Sequence, residues 1–283
     1  MGRTAAAVFA LSLVLALVGF SPCVGQTVGS RENEIEAQTE TAKRFQEHAR
    51  SEAAAYDIRT ESASGRKLLL RPEPILRWTN PVPEKQMHGE VFLWTDDGRP
   101  AAVLCLFEMT ETGGVHEYHE FSSLAAGGLV TTGAANRNWS PTTAQLKMSP
   151  VLGAPPPAPA PRQRLIQMRE LAARFTCEKT TRLGDTHALR LLSQPVARYE
   201  SPTHEVSDGA LFAFVEATDP EVFLLLEVRS TGGAAHWNYG LARMASVRMQ
   251  VSLDDKPVWE IDMLPYDGYR NRTDLPYALL FVR

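Results

Sequence analysis

The sequence predicts an α+β fold of two tandem repeats of about 120 residues, each an amphipathic helix followed by an antiparallel β-meander, with the two sheets packed face to face. Three observations predict it. Residues 101–114 lie over 220–233 without a gap and agree at six positions, where residue frequencies give about one by chance. A stretch of helical periodicity opens each half. Finally, Val103–Phe107 and Val222–Leu226 are apolar without alternation, which requires cover on both faces of each strand.

The chain opens with Arg3, an apolar run from Ala5 to Phe20, and Ser21-Pro22-Cys23-Val24-Gly25. This order reads as a signal peptide over residues 1–25, cleaved after Gly25. A run of about 16 residues is shorter than the roughly 20 that a helix needs to cross a bilayer, so no stable membrane span is expected after cleavage. The expected location is secreted or periplasmic.

The first repeat is expected over residues 26–149. Ile35, Ala42, Phe45, Ala49, Ala53 and Tyr56 recur at helical spacing, with charged residues between them. Strands follow at 67–71, 75–79, 90–95, 101–109 and 116–124, with another ending near Trp139. Asp96-Asp97-Gly98 and Thr112-Gly113-Gly114 supply tight-turn signals between apolar runs. Residues 150–161, Pro-Val-Leu-Gly-Ala-Pro-Pro-Pro-Ala-Pro-Ala-Pro, form a Pro-rich linker of extended polyproline II character.

The second repeat is expected over residues 162–283. Leu165, Met168, Ala172 and Phe175 make one helical stripe, and strands follow at 188–192, 196–200, 210–216, 222–229, 235–244, 247–253, 258–263 and 277–282. The echo pairs Trp78 with Tyr199 and Gly89 with Gly209. Short connections make neighbouring strands antiparallel.

Composition excludes several functions. The net charge is −4, and removing Arg3 with the signal peptide leaves 28 basic against 33 acidic residues, spread along the chain. No basic patch suited to phosphates is present, so nucleic acid is not an expected partner. Of three cysteines only Cys105 and Cys177 follow the signal peptide, too few for a cysteine-based zinc cluster; Cys105 sits in an apolar run, so two unpaired thiols are expected. Walker-type, dinucleotide and Gly-x-Ser-x-Gly motifs are missing. No cofactor or metal is expected.

The densest chemistry is His116-Glu117-Tyr118-His119-Glu120. Two imidazoles and two carboxylates suit general acid–base work or zinc, with His116, Glu117, His119 and Glu120 as catalytic candidates and His116 and His119 as metal candidates. The spacing of three is not that of the helical His-Glu-x-x-His motif. On a strand it sends His116 and His119 to opposite faces, so that Glu117 shares a face with His119, and His116 with Glu120. In the second half His236, Trp237 and Tyr239 offer an aromatic, polar strand face as a candidate ligand site. Asn138-Trp139-Ser140 and Asn271-Arg272-Thr273 fit the N-glycosylation pattern. The first expectation for function is an exported, non-enzymatic protein of the periplasm or cell envelope that binds a ligand or partner. The alternatives are a hydrolase, zinc-dependent or not, using residues 116–120, and a carrier of apolar ligands.

Overall fold

A computed structural model describes residues 28–62, 65–82, 85–111, 113–132, 137–231, 233–265 and 272–283. The expected signal peptide therefore lies outside the described residues. Helix α1, Val28–Ala54, begins in an N-terminal unit ending at Arg44, where Arg44 pairs with Glu40 one turn earlier at 3.3 Å. The rest of the chain, from Phe45, is one compact body. Among the described residues no helix is long and apolar enough to cross a membrane.

That body is mostly β. The described residues form seventeen strands and two α-helices, the second being α2, Pro161–Ala172. One sheet holds β2 (Leu69–Leu70), β3 (Leu76–Val82), β4 (Lys85–Asp96), β5 (Arg99–Glu111), β6 (Gly114–Ser123) and β17 (Tyr277–Phe281), in the order β17-β6-β5-β4-β2, with β3 also on β4. The other runs β16-β15-β9-β10-β12-β13-β14-β8 with β11 on β12. Its strands are β8 (Ser149–Pro150), β9 (Phe175–Thr180), β10 (Thr186–Leu191), β11 (Ala197–Ser201), β12 (Val206–Glu216), β13 (Asp219–Thr231), β14 (Ala234–Arg243), β15 (Arg248–Leu253) and β16 (Lys256–Ile261). A separate ribbon pairs β1 (Asp57–Thr60) with β7 (Leu129–Thr132).

This corrects the expected α+β pair of helix-plus-meander repeats of about 120 residues. Each sheet takes a strand from the other half of the chain: β17 pairs with β6, Tyr277 opposite Ser122, and β8 pairs with β14, Ser149 opposite Tyr239. The second helix is also shorter than read. Phe175 keeps helical spacing from Ala172, but Ala173 closes the helix and Phe175 opens β9, whose burial alternates from Phe175 to Cys177 to Lys179. β9 then sits between β10 and β15, widening the second sheet to nine strands. Trp139, expected on a strand, is buried in irregular chain with its indole N–H donating to Leu275 O at 2.8 Å. Ala42, expected on the apolar stripe of α1, is exposed.

The apolar strands are covered on both sides. Phe45, Ala49 and Ala53 of α1 pack with Phe92, Ala102, Leu104 and Leu106 on one face of the first sheet. Its other face contributes Val91, Val103 and Cys105 to a cluster shared with Leu211, Ala213, Phe223 and Leu225 of the second sheet. The far face of that sheet packs Phe212, Leu224 and Leu226 against Met168 and Leu171 of α2, with Cys177 and Val251 from the strands that curl round it. Cys105 and Cys177 are both buried and unpaired.

Local sequence explains the long hairpins. Asp97 and Gly98 both adopt positive φ, at 47° and 83°, as the turn joining β4 to β5 requires. Gly98 also fits tightly, since a Cβ there would lie 2.4 Å from Glu200 O. Gly89 leaves room for the Trp78 ring to cross β4 toward Phe107, 5.8 Å between centroids, and Gly209 does the same beneath Tyr199.

Candidate functional site

Glu117 and His119 are two residues apart on β6, so both project toward α1. The helix supplies His48 and Glu52, four residues apart on one face, and Tyr56 follows just beyond it. The result is a hydrogen-bonded chain. Tyr56 OH lies 2.7 Å from His119 Nδ1, His119 Nε2 lies 3.0 Å from Glu117 Oε1, and His48 Nε2 lies 2.8 Å from Glu117 Oε2. Arg283 donates to the same Oε2 at 2.8 Å and reaches Glu108 at 3.3 Å. Glu52 is held by Arg137 at 2.5 Å.

The electrostatics fix the protons. Burial pushes the Glu117 carboxyl up, but the hydrogen bonds from His119 and His48 and the charges around it bring it to about 2. Burial also lowers His119, against the pull of Glu117, and so favours its neutral ring. An ionised carboxylate only accepts, so His119 carries its proton on Nε2 and its Nδ1 accepts from Tyr56. Both imidazole nitrogens are thus engaged, and His119 is fully buried. Solvent reaches this network through His48, 32 % exposed, and Arg283, 59 % exposed. One oxygen each from Glu52 and Glu117 and one nitrogen of His119 lie within 4.8 Å of one another, a set able to offer a metal three ligands.

The other two residues of the 116–120 cluster face away. His116 packs its ring at 5.8 Å from that of Phe281. Glu120 accepts a hydrogen bond from Tyr277 OH at 2.5 Å, and burial pushes its carboxyl up to about 8 despite that bond. His236, Trp237 and Tyr239 form no open platform. Trp237 and Tyr239 belong to the core against α2, with the Tyr239 ring 5.1 Å from Phe175, while His236 turns back to Ala234 O. Asn138 is exposed; Asn271 lies outside the described residues.

Sequence reasoning missed further buried carboxylates, among them Glu227 and Asp208. Glu227 on β13, with no exposed surface, accepts from Arg99 Nε at 2.8 Å, Tyr199 OH at 2.9 Å and Arg229 Nε at 2.7 Å. Asp208 on β12 accepts from Arg164 of α2 at 2.7 Å and from Arg198 at 2.6 Å. A signal for Glu227 was present: a carboxylate in a strand covered on both faces needs partners.

The chain matches no protein-family model, no curated protein and no solved structure. Function therefore has to be argued from the geometry alone.

Between α2 and the outer face of the second sheet lies a groove of about 630 Å³, lined among others by Ile166, Arg169, Ala173, Phe175, Leu191 and Phe212. Ile166 at its lip is 52 % exposed, and buried Phe175 and Phe212 belong to its lining.

Proposed function

We propose that the chain is an exported, non-enzymatic binding protein of the periplasm or cell envelope, whose ligand contacts the groove beside α2. The groove carries this reading: it is mostly apolar, with Arg169, Glu170 and Ser193 as polar points, open, and of a volume within the usual range for small-molecule sites. The apolar segment 5–20 supports export. The state of the polar cluster supports a non-enzymatic role, because Glu117 and His119 already use their hydrogen-bonding capacity on each other and on His48, Arg283 and Tyr56.

Native mass spectrometry of the chain purified from an exporting host tests this. An apolar small molecule should co-purify with the wild type and be lost in Ile166→Glu, a substitution at an exposed position that leaves the core intact. Absence of any bound molecule, or retention by the variant, refutes the groove reading.

The convergence of Glu52, Glu117 and His119 favours a second reading, a zinc-dependent hydrolase. Against it stand the Arg137 guanidinium on Glu52 and the filled valences of His119. Metal analysis of the purified chain separates the two readings, since stoichiometric zinc belongs only to the second.

A further inference from the structure

We propose that β17 is an association edge, through which two copies of this chain pair antiparallel and extend the first sheet across a twofold axis. This goes beyond the binding function and uses none of its residues. β17 ends its sheet, bonded to β6 alone among the described residues. Register shows where its other side points. Pro276 O accepts from Ser123 N–H at 2.8 Å and Val282 N–H donates to Glu117 O at 2.9 Å. Even-numbered residues therefore bond to β6, and the N–H and C=O groups of Leu279 and Phe281 point outward.

Edges of this kind are ordinarily blunted by charge, proline or a bulge. Tyr277-Ala278-Leu279-Leu280-Phe281 has none of these. The side-chain row across the sheet also stops short. Trp78, Phe107, Tyr118 and Phe281 follow one another from β3 to β17, with Phe107 stacked on Tyr118 at 5.1 Å and Tyr118 at 5.6 Å from Phe281. Phe107 and Tyr118 are buried, whereas Phe281 is 52 % exposed.

A second copy is the occupant that completes this edge. A twofold axis at Leu280 sets Leu279 opposite the partner's Phe281 and Phe281 opposite the partner's Leu279. Both pairs are of the hydrogen-bonded kind, and each Phe281 ring gains the apolar neighbour it lacks. With no charge on β17 itself, the strand selects for an uncharged counterpart like itself. Of the cations near the strand, Arg283 is paired with Glu117 and Glu108, and the Arg243 guanidinium lies over the Tyr277 ring at 5.5 Å. An interface built on one short strand is smaller than the roughly 1,200 Å² that marks stable complexes, so the dimer is weak and concentration-dependent.

Sedimentation of the full chain over a concentration series tests this. The wild type should shift from monomer to dimer as concentration rises. Phe281→Lys should weaken association at least roughly tenfold with unchanged circular dichroism. Leu279→Pro, which deletes an outward N–H and spares every bond to β6, should do the same. A wild type that stays monomeric to its solubility limit overturns the proposal, and so does a dimer that Phe281→Lys leaves intact.

Discussion

Glu227 is a fully buried carboxylate that ties the two sheets together. It joins β13 of the second sheet to Arg99 at the start of β5 in the first, and both side chains are almost fully buried, at 0 % and 5 % exposure. Glu227→Ala removes the acceptor for three donors at once: Arg99 Nε, Tyr199 OH and Arg229 Nε. Arg229 is partly exposed and turns to water, and Arg99 keeps only Leu124 O at 3.1 Å as a good acceptor. What remains is a buried, unpaired guanidinium between two sheets. Breaking one side of such a pair costs about 3–5 kcal/mol. For a body of this size each kcal/mol moves the melting temperature by about 2–4 °C, so a fall on the order of 6–20 °C is expected. Urea unfolding followed by tryptophan fluorescence and scanning calorimetry measure it. The pair itself need not be stabilising, because its desolvation is large. The double variant Arg99→Met with Glu227→Leu should therefore recover most of the loss. A Glu227→Ala variant within about 0.5 kcal/mol of wild type would refute the reasoning, since that is the range of an ordinary surface change.

Two other consequences are sharp. Glu120 sits at about 8 when folded against an ordinary 4.5, so the folded chain holds a proton that the unfolded chain releases. Stability should therefore fall as pH rises from about 4.5 through about 8, and Glu120→Gln should remove part of that fall in urea titrations at about pH 5 and about pH 9; an identical fall in the variant contradicts the burial argument. Gly89→Ala puts a Cβ 2.7 Å from the Trp78 ring and 2.8 Å from Phe107 Cβ, which should destabilise by about 1–3 kcal/mol. Gly113→Ala, with open space around it, should be neutral in the same assay, and equal effects at the two sites would show that packing over Gly89 is not the cause.

Most individual strands were legible because a period of two, or an unbroken apolar run between turn residues, is a local property. Asp97-Gly98 between β4 and β5 shows this best: two residues whose backbone preference dictates the reversal. Architecture was less legible, and the reason is sequence distance. Nothing in Tyr277–Phe281 names β6 as its neighbour 157 residues away, as Tyr277 and Glu120 are. The echo between the halves suggested that each half builds its own sheet, yet β17 and β8 each cross to the sheet of the other half. The helix that ran too far at Phe175 reflects an ambiguity of the pattern, because spacing of three fits a helix and the turn at Ala173–Arg174 has no glycine to announce it.

The site divides along the same line. Strand geometry alone put Glu117 and His119 on one face, but their partners His48, Glu52, Tyr56 and Arg283 arrive from α1 and from the C-terminus through docking that no local rule encodes. Glu90 and Glu221 pair within their own sheets, with Arg77 and Lys179, but three other buried carboxylates share one arrangement across the layers. Glu117 meets His48 of α1, Glu227 meets Arg99 of the opposite sheet, and Asp208 meets Arg164 of α2. Each contact between layers has one acid gripped by a base from the layer above or below. Apolar surfaces slide with little penalty, whereas a displaced buried carboxylate loses every partner at once, so these three acids set how helix, sheet, sheet and helix are aligned.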